Sequence, residues 1–144
     1  MPLIKFTVPG TPQGKGRPRV TRYGTYTPEK TRQYEKLVQF CWKRSGAVSI
    51  PDKPLCVTIN AYFEPPKSLS KKKHAALIGE RHTKKPDADN IAKAILDALN
   101  GLAFPDDSAV ARLTVNKLYA EEARAEVSIM DVFEVNGEAC DGGL

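Results

Sequence analysis

An α+β domain built on a single mixed β-sheet is the fold this sequence predicts, and three patterns predict it. Apolar residues alternate along residues 3–8 and again along residues 55–63, the period of a half-buried strand. Two other stretches, around Tyr34 to Trp42 and Ile91 to Leu99, repeat their apolar residues every three to four positions, the period of a helix lying on a core. Two further strand-like runs, residues 109–119 and 125–135, follow the second helix. The expected domain therefore has about four strands packed with two to three helices.

In the first strand Ile4, Phe6 and Val8 share one side, and Pro9-Gly10-Thr11-Pro12 ends it. Residues 13–25 are rich in Gly, Pro and Arg, show no period, and read as a basic loop. Thr27-Pro28-Glu29 has the order of a helix start, with Thr27 as cap and Pro28 at the first helical position. Tyr34, Leu37, Val38, Cys41 and Trp42 form that helix's apolar stripe, which should end near Gly46. The second strand places Leu55, Val57, Ile59, Ala61 and Phe63 on one side, and Glu64-Pro65-Pro66 stops it. A short basic helix capped by Ser70 fits residues 68–79. The helix over residues 89–99 buries Ile91, Ala92, Ile95, Ala98 and Leu99, and Asn100-Gly101 suits its C-terminal cap. Only residues 121–124 separate the last two strands, which predicts an antiparallel hairpin.

The chain of 144 residues suits one domain, residues 1–144, with residues 136–144 as a frayed tail. Its apolar runs are too short to span a membrane and its N-terminus lacks a signal-peptide core, so a cytoplasmic location is expected. Three cysteines, Cys41, Cys56 and Cys140, have no metal-ligand spacing and are expected as reduced thiols, the first two as core filler. The net charge is +5. Its distribution is uneven: Lys15, Arg17, Arg19 and Arg22 form one basic group, Lys71, Lys72, Lys73, Lys84 and Lys85 another, and acids gather after Glu121. Such polarity suits a face offered to phosphates.

The residues most suggestive of chemistry are Lys85-Pro86-Asp87-Ala88-Asp89-Asn90, which lead into the second long helix, together with Asp106-Asp107 beyond its end. Carboxylates in that number suit Mg²⁺, which can neutralise a phosphate and activate water for hydrolysis. Pro86 favours an extended entry, where residues two apart point the same way. Lys93, four residues after Asp89, projects over the same helical face, where it can stabilise a transition-state phosphate or protonate a leaving oxygen. Asp97 lies one turn further. Each feature also has a purely structural counterpart: Asp87 or Asp89 as a helix cap, Asp106-Asp107 as a turn, Lys93 and Asp97 as a solvated pair. Two other motifs fail. The Asp87-Ala88-Asp89 run lacks the glycine and glutamate of an EF-hand loop, and Gly10 to Gly16 lacks the glycine spacing and hydroxyl of a P-loop.

Lys85-Pro86-Asp87-Ala88-Asp89-Asn90, Lys93, Asp97-Ala98-Leu99-Asn100-Gly101 and Asp106-Asp107-Ser108-Ala109-Val110 resemble the RusA family of Holliday junction resolvases. The N-terminal Gly10 to Arg19 and Tyr26-Thr27-Pro28 resemble its Gram-positive and prophage versions. The resemblance covers residues 3–133. It implies a RusA-like fold and a homodimeric endodeoxyribonuclease that resolves four-way junction DNA by paired symmetric nicks in recombination and repair. It places Mg²⁺ or Mn²⁺ on Asp87, Asp89 and Asp107, with Asp106 as the alternative ligand, and gives Lys93 a catalytic role. Lys15, Arg17, Arg19, Arg22, Lys71, Lys72, Lys73, Lys84 and Lys85 are the expected DNA contacts. The competing functions are a DNA-binding protein without catalysis and a metal nuclease for other branched DNA or for RNA.

Overall fold

In the computed structural model, residues 4–16, 19–26, 28–51 and 53–131 are described. Arg17, Thr27, residues 132–135 of the expected last strand and the 136–144 tail lie outside them. The elements run β1 (Ile4–Pro9), β2 (Arg19–Thr21), β3 (Gly24–Tyr26), α1 (Glu29–Arg44), β4 (Leu55–Phe63), α2 (Lys71–Leu77), α3 (Ala88–Leu99), a 3-10 turn (Asp107–Ala109), β5 (Val110–Tyr119) and β6 (Arg124–Asp131). The fold is α+β, as expected.

Four strands make one mixed sheet in the order β1-β6-β4-β5. β4 pairs parallel with β5 and antiparallel with β6, and β6 pairs antiparallel with β1. The expected β5–β6 hairpin is therefore corrected: β4 lies between the two. β4 carries the densest apolar run and is buried over nearly its whole length, so it takes the centre of the sheet and is flanked on both edges. The link from Tyr119 to Arg124 needs only to step over one strand. Five residues reach up to about 17 Å, against roughly 10 Å for two inter-strand spacings.

The register aligns apolar side chains across the sheet. Phe6 faces Val127, Val127 faces Ile59, and Ile59 faces Val115. Against these pack Tyr34, Val38 and Trp42 of α1 and Ile91, Ile95, Ala98 and Leu99 of α3. Phe6 and Trp42 meet edge to face, 5.9 Å between ring centroids. Ile91, Ile95 and Leu99 are completely buried, each contributing about 1.5–3 kcal/mol by leaving water. Truncating Ile95 to Ala would cost about 2–5 kcal/mol through the lost contacts and the cavity left behind.

Pro28, expected at the first helical position, is corrected to the N-cap residue of α1, which starts at Glu29, while the caps of the other two helices act as expected. Ser70 accepts a hydrogen bond from the Lys73 amide and starts α2. Asn100 caps α3, and Gly101 follows at φ +76°, a conformation that glycine adopts without strain. Residues 13–25 are not wholly loop. β2 and β3 form a small antiparallel hairpin closed by Arg22-Tyr23. Strands of three residues are too short to show an alternating pattern, so no period announces them. Cys56 is core filler in β4 but is disulfide-bonded, which corrects the expectation of a reduced thiol there. Cys41 is free and half-buried.

Candidate active site

Asp87 is the N-cap residue of α3, in the extended conformation expected before the helix, after a cis Lys85–Pro86 bond. Its backbone carbonyl accepts the first helical hydrogen bond from the Ile91 amide at 3.1 Å. Its carboxylate makes no capping bond. Instead Oδ2 lies 3.0 Å from Lys85 Nζ. The carboxylate thus faces a cation rather than the helix end, so the structural account of Asp87 as a side-chain cap fails. Asp89 already belongs to the first turn. The extended-chain argument for pairing Asp87 with Asp89 is corrected accordingly: the helix begins at Ala88, one residue too early for it.

Asp89, Lys93 and Asp97 follow one another at four-residue intervals along α3, as expected. Lys93 Nζ lies 3.7 Å from Asp97 Oδ2, and Lys93 is largely exposed. Asp97 is shared. Lys15 Nζ lies 3.1 Å from the same oxygen and 2.6 Å from Glu35 Oε1 of α1. Burial pulls the Lys15 ammonium down, but the hydrogen bonds and charges of Glu35 and Asp97 outweigh it and hold its pKa above the ordinary lysine value. Lys15 was an expected phosphate contact. Here it is a half-buried tie between the N-terminal loop, α1 and α3.

The same loop is tied at three more points. The Lys15 amide donates to the Asn90 carbonyl at 2.9 Å, and the Gly16 amide donates to Thr31 Oγ1 at 2.9 Å. A Cβ at Gly14 would stand 2.9 Å from Pro86 Cβ and 3.1 Å from Asn90 Cβ. Only glycine allows the loop to lie this close to the mouth of α3. Nothing in the spacing of Lys15, Glu35, Asn90 and Asp97 announces this knot.

The second acidic pair lies elsewhere. Asp106 caps the 3-10 turn, its Oδ2 accepting from the Ser108 amide at 3.3 Å. Those Ser108 hydrogen bonds hold its carboxyl below the usual range. The Asp107 amide donates to Asn100 Oδ1 at 3.1 Å. Among the described residues, the carboxylates of Asp89 and Asp107 have no hydrogen-bond or ion-pair partner. Asn100 is the C-cap of α3 and Asp89 is in its first turn. Eleven residues of helix separate them, so the two acidic pairs stand about 16 Å apart along the axis. The donor chemistry suits a hard divalent cation. Yet among the described residues no three His, Cys, Asp or Glu side chains gather into a group able to hold one.

Of the remaining expected cations, those whose side chains are described are at the surface. Lys71, Lys72 and Lys73 are exposed on α2, Lys84 and Lys85 flank the mouth of α3, and Arg22 is exposed at the hairpin turn. Arg19 opens β2. No helix among the described residues is long and apolar enough to cross a membrane.

A basic α+β chain with unpaired carboxylates at both ends of one helix, and exposed cations around its mouth, has the makings of a phosphodiester-cleaving protein. Residues 9–130 match the family described as Endodeoxyribonuclease RusA, so the chain belongs to the RusA family of Holliday junction endonucleases. It is also 41% identical over 140 residues to the uncharacterized protein YqaN of Bacillus subtilis (strain 168), a match covering 92% of this chain and 99% of that one.

Proposed function

We propose that this chain is a divalent-metal-dependent endodeoxyribonuclease that nicks four-way junctions symmetrically as a homodimer, with both copies contributing to each site. The observation that carries this reading is the separation of the acidic pairs. One copy holds Asp87 and Asp89 at one end of α3 and Asp107 at the other.

A two-fold axis would bring them together. β5 is an outer strand. Its later half is covered by residues 79–82, through Gly79, Glu80 and His82 bonds to Lys117 and Tyr119. Its earlier half, Ala111 to Thr114, is exposed. An open strand edge is a template for pairing, and antiparallel pairing with a second copy is isologous. α3 packs beside β5. Pairing of β5 with the partner's β5 would lay the two α3 helices side by side in opposite directions. Asp87 and Asp89 would then approach the partner's Asp107.

Asp87, Asp89 and the partner's Asp107 would hold Mg²⁺ or Mn²⁺. When bound, the metal supplies charge neutralisation at the phosphate and an acidified water. Asp106 is already used in its own turn, which favours Asp107 as the ligand. Lys93, exposed and one turn from Asp89, would meet the scissile phosphate and donate a proton to the leaving oxygen, with Asp97 Oδ2 3.7 Å from its Nζ as its ion-pair partner. The exposed lysines and Arg22 would bind the DNA backbone, so affinity should fall steeply with salt. Two sites related by a two-fold axis match the approximate symmetry of a four-way junction and would cut it at paired positions.

The test is cleavage of a labelled synthetic junction in Mg²⁺, Mn²⁺ or EDTA, with Asp89→Asn alongside. Paired nicks that need metal and vanish in the variant support the reading. Tight binding without nicks under every condition would overturn it in favour of a DNA-binding protein without catalysis.

A further inference from the structure

The β2–β3 hairpin has a composition and position that its own fold does not explain. Every residue from Val20 to Thr25 is exposed. Tyr23 at the turn is 91% exposed and Val20 is 81% exposed. Two-stranded hairpins without a packed face are marginal in water, and apolar side chains at a tip gain nothing there. The tip is nevertheless held in shape. Thr21 Oγ1 accepts from the Tyr23 amide at 3.2 Å and donates to the Gly24 carbonyl at 3.1 Å, and Gly24 takes φ +125°.

The segment that carries the tip holds charge of one sign in its sequence. The first acidic residue of the chain is Glu29, and before it stand Lys5, Lys15, Arg17, Arg19 and Arg22. Arg22 is the other residue of the turn and is also exposed. The chain enters the hairpin from a point tied to the acidic mouth of α3. The Lys15 amide is bonded to Asn90, and the four steps from Lys15 to Arg19 reach at most about 14 Å. An aromatic ring carried on an acid-free, cationic arm is the combination that binds nucleic acid by stacking on a base while cations hold the backbone. A polyanionic partner without exposed bases, such as a membrane surface, would not use the ring in this way.

We propose that the Arg22–Tyr23 tip is the element that recognises the branch point: Tyr23 stacks on a base left unpaired or unstacked where the arms cross, and Arg22 holds the adjoining phosphate. This rests on the junction-nuclease reading above and names the part of the chain that would distinguish a branch from continuous duplex. Fully paired duplex offers no open base face, so Tyr23 should matter little there.

The experiment uses the full chain as wild type, Tyr23→Ala and Tyr23→Phe, in EDTA so that binding is read apart from cleavage. Probes are a labelled four-way junction, a linear duplex with the same arm sequence, and the junction with 2-aminopurine at the branch point. Tyr23→Ala should weaken junction binding roughly 5- to 100-fold, leave duplex binding within about twofold, and abolish the 2-aminopurine response. Tyr23→Phe should restore both, since stacking needs the ring and not the hydroxyl. Equal losses on junction and duplex, or no loss on either, would overturn the proposal. A wild type that favours junctions, with a Tyr23→Ala variant that favours them equally, sinks the tip alone. A wild type with no junction preference, but a Tyr23-dependent 2-aminopurine response, sinks the junction reading and keeps the stacking role.

Discussion

The Asp107 amide is bonded to Asn100 Oδ1 at 3.1 Å, and this one hydrogen bond fixes the second acidic pair to the C-terminal end of α3. Asp89 sits at the other end, about 16 Å away by helical rise. No rotamer change in carboxylates this short closes such a gap. The metal-binding set that the sequence suggests can form only if a second copy supplies half of it or the backbone rearranges.

Mixed dimers separate these two routes. Asp89→Asn and Asp107→Asn should each abolish junction nicking. Mixing the two variants under conditions of subunit exchange should restore it in part. In the mixed dimer one site carries both substitutions and the other carries neither. One strand per junction should therefore be nicked instead of two, at up to half the wild-type level per dimer. Complete inactivity of the mixture, with subunit exchange verified by a different affinity tag on each copy, would place all the ligands within one subunit.

The exposed half of β5 should be the pairing edge. Leu113 is 43% exposed on it. Near a two-fold axis, Leu113→Glu would set like charges opposite one another across the strands, which is unfavourable. The variant should sediment as a monomer at concentrations where wild type is dimeric, and should lose nicking while keeping its circular dichroism. A variant that stays dimeric and active would move the interface elsewhere.

Lys15→Ala removes the cation shared by Glu35 and Asp97. It leaves two partly buried carboxylates facing each other, a loss of about 1–2 kcal/mol once partial solvation is allowed for. The melting temperature should fall by roughly 3–8 °C in a domain of this size. The folded pKa of Lys15 is raised, so its contribution is complete below the unfolded lysine value and is lost as pH rises through the folded one. The stability gap between wild type and variant should thus persist from neutral pH to about pH 10, and close only in stronger alkali. Chemical denaturation across that range reads it directly.

His82 should make stability sensitive to mild acid. Its ring stacks on Phe63, centroids 3.9 Å apart, and lies 5.0 Å from Tyr119. Burial first, then the charges of Lys117 and Lys84, hold its pKa below the ordinary histidine value. The folded state thus prefers the neutral ring, while the unfolded chain takes up a proton near pH 6.5. Stability should be full above that pH and decline as pH falls through the folded pKa. His82→Phe should keep the stack and flatten this decline, measured as the midpoint of urea unfolding between pH 7.5 and 5.

Much of the fold is legible because long elements advertise their period. The alternation and Pro65-Pro66 bound β4 to the residue, and the apolar face with Asn100-Gly101 bounds the end of α3, whose start lies one residue earlier than expected. What escaped was pairing between distant segments. The short loop at residues 121–124 argued for a β5–β6 hairpin, but partnership is decided by which strand is apolar enough to sit centrally, and that is β4. The same limit applies at the site. Asp87, Asp89, Lys93 and Asp107 are readable as types and spacings. The tie of Lys15 to Glu35 and Asp97 joins residues 20 and 82 positions apart and has no local signature. The hairpin at Arg22-Tyr23 was hidden by strands only three residues long.

The placement of acids at both ends of α3 has a consequence for the cell that makes such a nuclease. If each cutting centre needs two chains, a single newly made chain is harmless to the chromosome. Below the dimerisation constant, activity would grow with the square of the protein's concentration rather than in proportion to it. A tenfold rise in expression would then raise cutting about a hundredfold. Low leaky synthesis would go unpunished, and strong induction would act as an abrupt switch, with no inhibitor required.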